Sequence, residues 1–155
     1  MARLYTVAFS KVEVEKAVDV FEIRPAANKR LEVTGLFIGQ SSDFGDAQAE
    51  VIPYKVVRGN TTSGSGGATP TPAPIDPNDP AAGFSAETNN TTAAKEGTSV
   101  DLHDSVFNVA IGEALWLPPG EGWRVHAGNT SLVVRLGTAP NDPLTLSGTL
   151  YVLED

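Results

Sequence analysis

The chain has 155 residues, enough for one ordinary domain that buries its own core. It contains no cysteine, which excludes disulfides, thiolate metal sites and cysteine nucleophiles, and its 15 glycines and 11 prolines favour turns between strands over long helices. The formal charge is −8, with the whole acidic excess lying after residue 58, a balance that argues against nucleic acid and anionic membranes as partners.

The opening stretch, Met1 to Phe9, lacks the apolar segment of a secretory signal, and no run approaches the ~18 apolar residues of a spanning helix, so synthesis in a cytoplasm without export is expected. Without an export signal, the sequons at Asn60, Asn89, Asn90 and Asn129 reflect only an Asn/Thr-rich composition. Tyr5, Val7 and Phe9 fall on one side of a first strand. From Ser10 to Ala17 a Ser10/Glu13 capping-box spacing competes with the period-two alternation of Val12 and Val14, which reads as loop or strand. Leu31, Val33 and Phe37 fall on one side of a later strand. Asp43, Asp46 and Glu50 offer oxygens for calcium but lack the twelve-residue EF-hand pattern, so a turn is expected there. From Glu50 to Arg58, Ile52, Tyr54 and Val56 share a face with Pro53 opposite, and a proline inside a strand predicts an edge or a bulge.

Residues 59–99 differ in kind. Of these 41 residues 23 are Gly, Pro, Ser or Thr, and the large apolar side chains are Ile75 and Phe84, the composition of a disordered segment. The spacing of Pro70, Pro72 and Pro74 favours an extended, polyproline-like strand that loses little entropy on a neighbouring surface. That surface is either another subunit or the chain's own domain. Asp79-Pro80 can cap and start a short helix through Glu87, and Gly64 to Gly67 has neither the strand-to-helix context nor the lysine of a phosphate loop.

Beyond residue 99 the candidates for chemistry are few. Asp101, His103, Asp104 and Ser105 are close in sequence, but no Gly-x-Ser-x-Gly elbow occurs, so a charged strand start is expected rather than a hydrolase. Gly97 stands six residues before His103, as in the first metal motif of the cupin barrels, yet Ser105 occupies the second histidine position. Gly112 to Gly120 has the Pro-rich turn of the second cupin motif, yet Trp123 stands where its histidine belongs and His126 lies three further on. No metal, cofactor or catalytic residue is therefore assigned. Trp116 and Trp123 flank Pro118-Pro119-Gly120 and are either core anchors or, exposed together, a platform for a sugar ring. Leu132, Val134 and Leu136 form one strand, and Asn141-Asp142-Pro143 turns into a last one. There Leu144, Leu146, Leu150 and Val152 alternate with polar residues, and Gly148 marks a close approach or a bulge.

These runs predict an all-β chain of about eight to ten short strands, a jelly-roll-like β-sandwich or barrel. It reads as a single β domain over 1–155 with 59–99 as an extended insertion loop or arm. Several stretches also resemble small virion structural proteins of tailed bacteriophages, the kind that decorate or cement a capsid. They are Gln40 to Asp46, Val57-Arg58-Gly59, Pro70-Thr71-Pro72, Asn89 to Ala93, Ala127 to Ser131 and Ser147 to Glu154. The resemblance implies a non-enzymatic, β-rich, often trimeric subunit on the outer capsid surface, with the major capsid protein as partner and no cofactor. On that expectation Tyr5, Pro70, Pro72, Pro74, Ile75 and Phe84 supply the intersubunit contacts. The alternative is a carbohydrate- or receptor-binding β-sandwich of a tail or head fibre.

Overall fold

A computed structural model describes residues 1–42, 50–126, 128 and 130–155 of the chain. Asp43, Asp46 and Asn129, singled out above, lie outside the described residues. Those described form eleven strands and no helix: β1 (Arg3–Val14), β2 (Asp19–Pro25), β3 (Arg30–Gln40), β4 (Val51–Asn60), β5 (Ala73–Pro74), β6 (Phe84–Asn90), β7 (Val100–Asn108), β8 (Glu113–Trp116), β9 (Trp123–His126), β10 (Ser131–Leu136) and β11 (Leu144–Glu154). Two antiparallel sheets result. The front sheet runs β5-β1-β11-β3, with β9 and β8 pairing successive halves of β3, and the back sheet runs β6-β2-β10-β4-β7. β1 to β4 alternate between the sheets, and β10 and β11 return between them. This is the jelly-roll winding expected from the sequence.

The core lies between the sheets and follows the alternation of apolar residues. In β11, Leu144, Leu146, Leu150 and Val152 are buried while Thr145, Ser147, Thr149 and Tyr151 point outward. Each such aliphatic side chain contributes about 1.5–3 kcal/mol relative to exposure. Gly148 holds an inward position because the core has no room for more: a Cβ there would lie 2.9 Å from Phe9 Cε1 and 3.1 Å from Phe21 Cζ. Those two rings pack with centroids 5.3 Å apart.

Of the register shifts in the two sheets, two in the front sheet explain where simple periodicity misreads the faces. The β1–β11 register shifts between Phe9 and Val12, where Lys11 has φ 54°, so the inward set passes from Tyr5, Val7 and Phe9 to Val12 and Val14. In β3, Val33 pairs with Val152 and Gly35 with Tyr151, leaving Thr34 as the extra residue. Leu36 and Ile38 then point inward, and Phe37 points outward instead of sharing a face with Leu31 and Val33. The expectation for Pro53 also needs correcting, since β4 lies between β10 and β7. Gly137 N donates to Pro53 O at 2.7 Å, one residue past the end of β10. The side on which proline lacks its N–H therefore faces the place where β10 has stopped, and the ladder loses no bond.

Residues 59–99 are built into the sandwich. Thr62, Ser65 and Ala68 bridge Lys95, Thr92 and Thr88, making a two-stranded ribbon that continues from β4. Between its arms the chain crosses to the front sheet, where Ala73 and Pro74 pair with Thr6 and Tyr5, and returns as β6 along the free edge of β2. The helix predicted from Asp79 to Glu87 does not form. Phe84 and Ala86 turn inward at period two, and β2 offers a complete set of ladder partners, which a one-sided short helix could not match. The ribbon covers the β2–β10 part of the back sheet's outer face over buried charge. Asp19, fully buried, receives Arg135 Nε at 2.5 Å, Arg135 Nη2 at 3.0 Å and Ala94 N at 2.7 Å. Glu22, also buried, receives Gly64 N at 2.9 Å and Ser63 Oγ at 3.0 Å.

Candidate functional site

The outer face of the front sheet is the counterpart of that sealed surface, and it carries the exposed aromatic residues of the fold. Register places Thr6, Tyr151, Gly35 and Trp116 side by side in one row, and Ala8, Thr149, Phe37 and Ala114 in the next. Neither row contains a charge, although the chain as a whole carries −8. An antiparallel sheet with one face in water normally alternates hydrophobic-in with polar-out. Here Phe37, Trp116 and Tyr151 gather outside, with ring centroids 4.8–5.8 Å apart, and Trp116 is 58% exposed.

Gly35 makes this cluster possible. A Cβ at Gly35 would lie 2.9 Å from Trp116 Cζ3 and 3.1 Å from Tyr151 Cδ2, so the two rings rest on bare backbone. Ile111, 86% exposed, stands across an open groove of about 490 Å³ that runs past Phe37, Gly39 and Ala114. The periodicity of β11 already points Tyr151 outward. The bulge at Thr34 hides Phe37 from the same reasoning, and a lone glycine in an apolar strand gives no hint of the rings above it.

One end of this face is covered by the Pro118–Gly122 turn between β8 and β9. The turn is held by Glu32, which accepts from Gly120 N at 2.5 Å, Gly122 N at 3.0 Å and Arg124 Nε at 3.0 Å. Burial opposes ionisation of Glu32, but the Gly122 N–H, the Arg124 guanidinium and the Gly120 N–H outweigh it and hold the carboxyl below its usual range.

The two tryptophans do not act together. Trp123 is half-buried at the open side of the sandwich, where its ring lies 5.1 Å from that of His103. There Tyr54 Oη donates to Glu113 Oε2 at 3.2 Å and lies 3.3 Å from His103 Nε2. Burial, with the nearby Glu113 carboxylate, pushes the Tyr54 hydroxyl up to about 12. Asp101 and Asp104 point away from this group and pair with Lys55 at 2.7 and 3.5 Å on the outer surface. His126 is exposed at the far end of β9. Among the described residues no three His, Cys, Asp or Glu side chains come together in a group able to hold a metal.

The six residues expected at an interface divide between inside and outside. Tyr5 and Phe84 are core residues in edge-to-face contact at 5.8 Å, and Tyr5 Oη donates to Pro80 O at 3.1 Å. Pro72 is buried against the domain. Pro70 and Pro74 are half-buried, and Ile75 is 53% exposed although its N–H is anchored to Leu4 O at 2.9 Å. Of the aromatic face beside this edge, the sequence singles out Trp116 alone, as half of a platform with Trp123. Compared with models of known protein families the chain matches none, and comparison with curated proteins finds no match either.

Proposed function

We propose that this chain is a virion structural protein that decorates or cements a tailed-phage capsid, docking the outer face of its front sheet across neighbouring shell subunits. The observation that carries the proposal is the uncharged face built on Phe37, Trp116 and Tyr151, continued by Ile111. Contiguous exposed apolar surface on a soluble domain marks an interaction site, and tryptophan and tyrosine are the residues that most often dominate such contacts. Pro70, Pro74 and Ile75 lie at the neighbouring edge of the same sheet and extend the contact.

The acidic remainder keeps unassembled copies apart in solution. A homotrimer on a capsid symmetry axis would present three such faces at once, and linked weak contacts then give occupancy without any single tight site. By binding the assembled shell in preference to free subunits, the protein would stabilise it. A single exposed indole also suits a sugar ring, the chemistry of a fibre receptor-binding domain. Against that, the three rings meet at 46–71° and offer no flat platform.

The test is co-sedimentation with shells assembled from the major capsid protein of the genome that encodes this chain. The wild-type chain should travel with the shells at a fixed copy number. Trp116→Lys should lower occupancy about tenfold or more while leaving the unfolding midpoint in place. Wild-type chain that remains at the top of the gradient beside intact shells overturns the proposal.

A further inference from the structure

On the side of the sandwich away from β7 and β8, between the end of β1 and the ribbon, lies a depression of about 380 Å³ that is no part of the docking face. Its floor is aliphatic, from Val12, Val14 and Val18, and Gly66, Gly67 and Asn89 of the ribbon form the opposite wall. The ribbon is out of register here. Ser65 bridges Thr92 and Ala68 bridges Thr88, so two residues face three, and Asn89 takes up the surplus in a left-handed conformation with φ 55°. Asparagine tolerates that conformation better than most residues.

Register does not account for the side chain of Asn89. The residue is 7% exposed, and among the described residues neither its Oδ1 nor its Nδ2 has a hydrogen-bond partner. The adjacent Asn90 is fully engaged by comparison, donating to Glu87 Oε2 at 2.6 Å and Glu22 Oε2 at 3.3 Å and accepting from Gly67 N at 3.3 Å. Burying an unpaired carboxamide is unfavourable, and native structures rarely leave one unless something else satisfies it.

We infer that this depression binds a small neutral ligand carrying an amide on a short branched aliphatic body, whose N–H and C=O pair with the Asn89 carboxamide once that side chain rotates toward the cavity. The ligand class follows from the lining. A carboxamide presents one acceptor and one donor side by side, the pattern another amide complements. The valines suit a branched aliphatic body, among the described residues no aromatic ring lines the cavity to stack on a sugar, and at its margin Glu13 and Glu15 outweigh Lys16 and disfavour an anion. A free amide and an amide within an extended polypeptide share this chemistry.

The experiment is a titration of the isotope-labelled full chain with N-acetyl-valinamide, followed by amide correlation spectra. Saturable shifts are expected at the Asn89 side-chain NH2 and at the backbone amides of Gly66, Gly67 and Val18. Asn89→Asp keeps a residue suited to positive φ and removes the donor, and should weaken binding about tenfold or more. Ala68→Leu adds bulk to the lining and should weaken binding about tenfold or more, which keeps the test decisive if Asn89→Asp does not fold. A blocked valine tripeptide that binds more tightly than the single amide identifies a polypeptide source, and equal or weaker binding identifies a free amide. Shifts that do not saturate, that Ala68→Leu leaves unweakened, or that N,N-dimethylisobutyramide reproduces without an N–H to donate overturn the inference.

Discussion

The outer faces of the two sheets differ in what they carry and in what covers them. The back sheet presents Asp19, Glu22, Arg24 and Arg135 on its outside, and the ribbon of residues 61–68 and 91–98 folds over them until both carboxylates are buried. The front sheet presents aromatic rings, threonines and alanines in its central rows, and none of the described residues crosses them. The same strand alternation, read on two surfaces, has opposite uses. On the back it hides charge under a polar cover that supplies backbone N–H groups. On the front it leaves apolar surface uncovered by the described residues, where a second molecule can pack.

The sharpest way to break that comparison is to remove the pair under the ribbon. Arg135→Ala leaves the Asp19 carboxylate buried with Ala94 N as its remaining partner, and should cost about 3–5 kcal/mol in urea unfolding. Adding Asp19→Ala to that variant should recover part of the loss, because the second change removes the stranded charge. Should Arg135→Ala cost under about 1 kcal/mol, the two faces would be alike energetically. Glu22→Ala comes next at about 1–3 kcal/mol, since the buried Gly64 N loses its acceptor while Ser63 Oγ keeps Glu87 Oε1. Hydrogen exchange should show Gly64 among the first amides to open in that variant.

The front face should behave differently. Trp116→Ala should change stability by about 1 kcal/mol or less, because more than half of the indole is already in water and its lost contacts are with Phe37 and Tyr151 alone among aromatic rings. Gly35→Ala should cost about the same, since the added Cβ is met by ring atoms of Trp116 and Tyr151 that can tilt away. A shift in tryptophan fluorescence should accompany it, and its absence would place the rings elsewhere than on Gly35.

The inner faces were legible in the sequence because burial imposes period two. Leu144 to Val152, Leu132 to Leu136 and Ile52 to Val56 all lie where alternation puts them. What alternation could not show were its own interruptions. The extra residue at Thr34 turns Phe37 outward and creates the aromatic face, and nothing in the local composition announces it. Residues 59–99 misled for another reason. Composition measures how much core a segment supplies, and this one supplies little beyond Phe84, Ala86 and Ala94. It is ordered by others, through Glu22, Asp19 and Glu154 accepting from Gly64, Ala94 and Gly83. Such bonds between residues far apart in sequence leave no periodic trace.

The smallest of these effects is a change in how the fold responds to acid, and it belongs to Glu32, the carboxylate under the turn of the front sheet. Glu32 is held on one side by two backbone N–H groups of the Pro118–Gly122 turn and on the other by Arg124. Despite its burial, these bonds lower its affinity for a proton in the folded chain below the usual 4.5. The unfolded chain therefore takes up this proton at a higher pH than the folded one. The stabilisation is complete above about 4.5, and it is lost as pH falls through the lower folded value. Glu32→Gln keeps the shape, removes the charge and should flatten that part of the acid limb of the stability curve. A limb unchanged by Glu32→Gln would mean that the turn closes over the front sheet without help from its carboxylate.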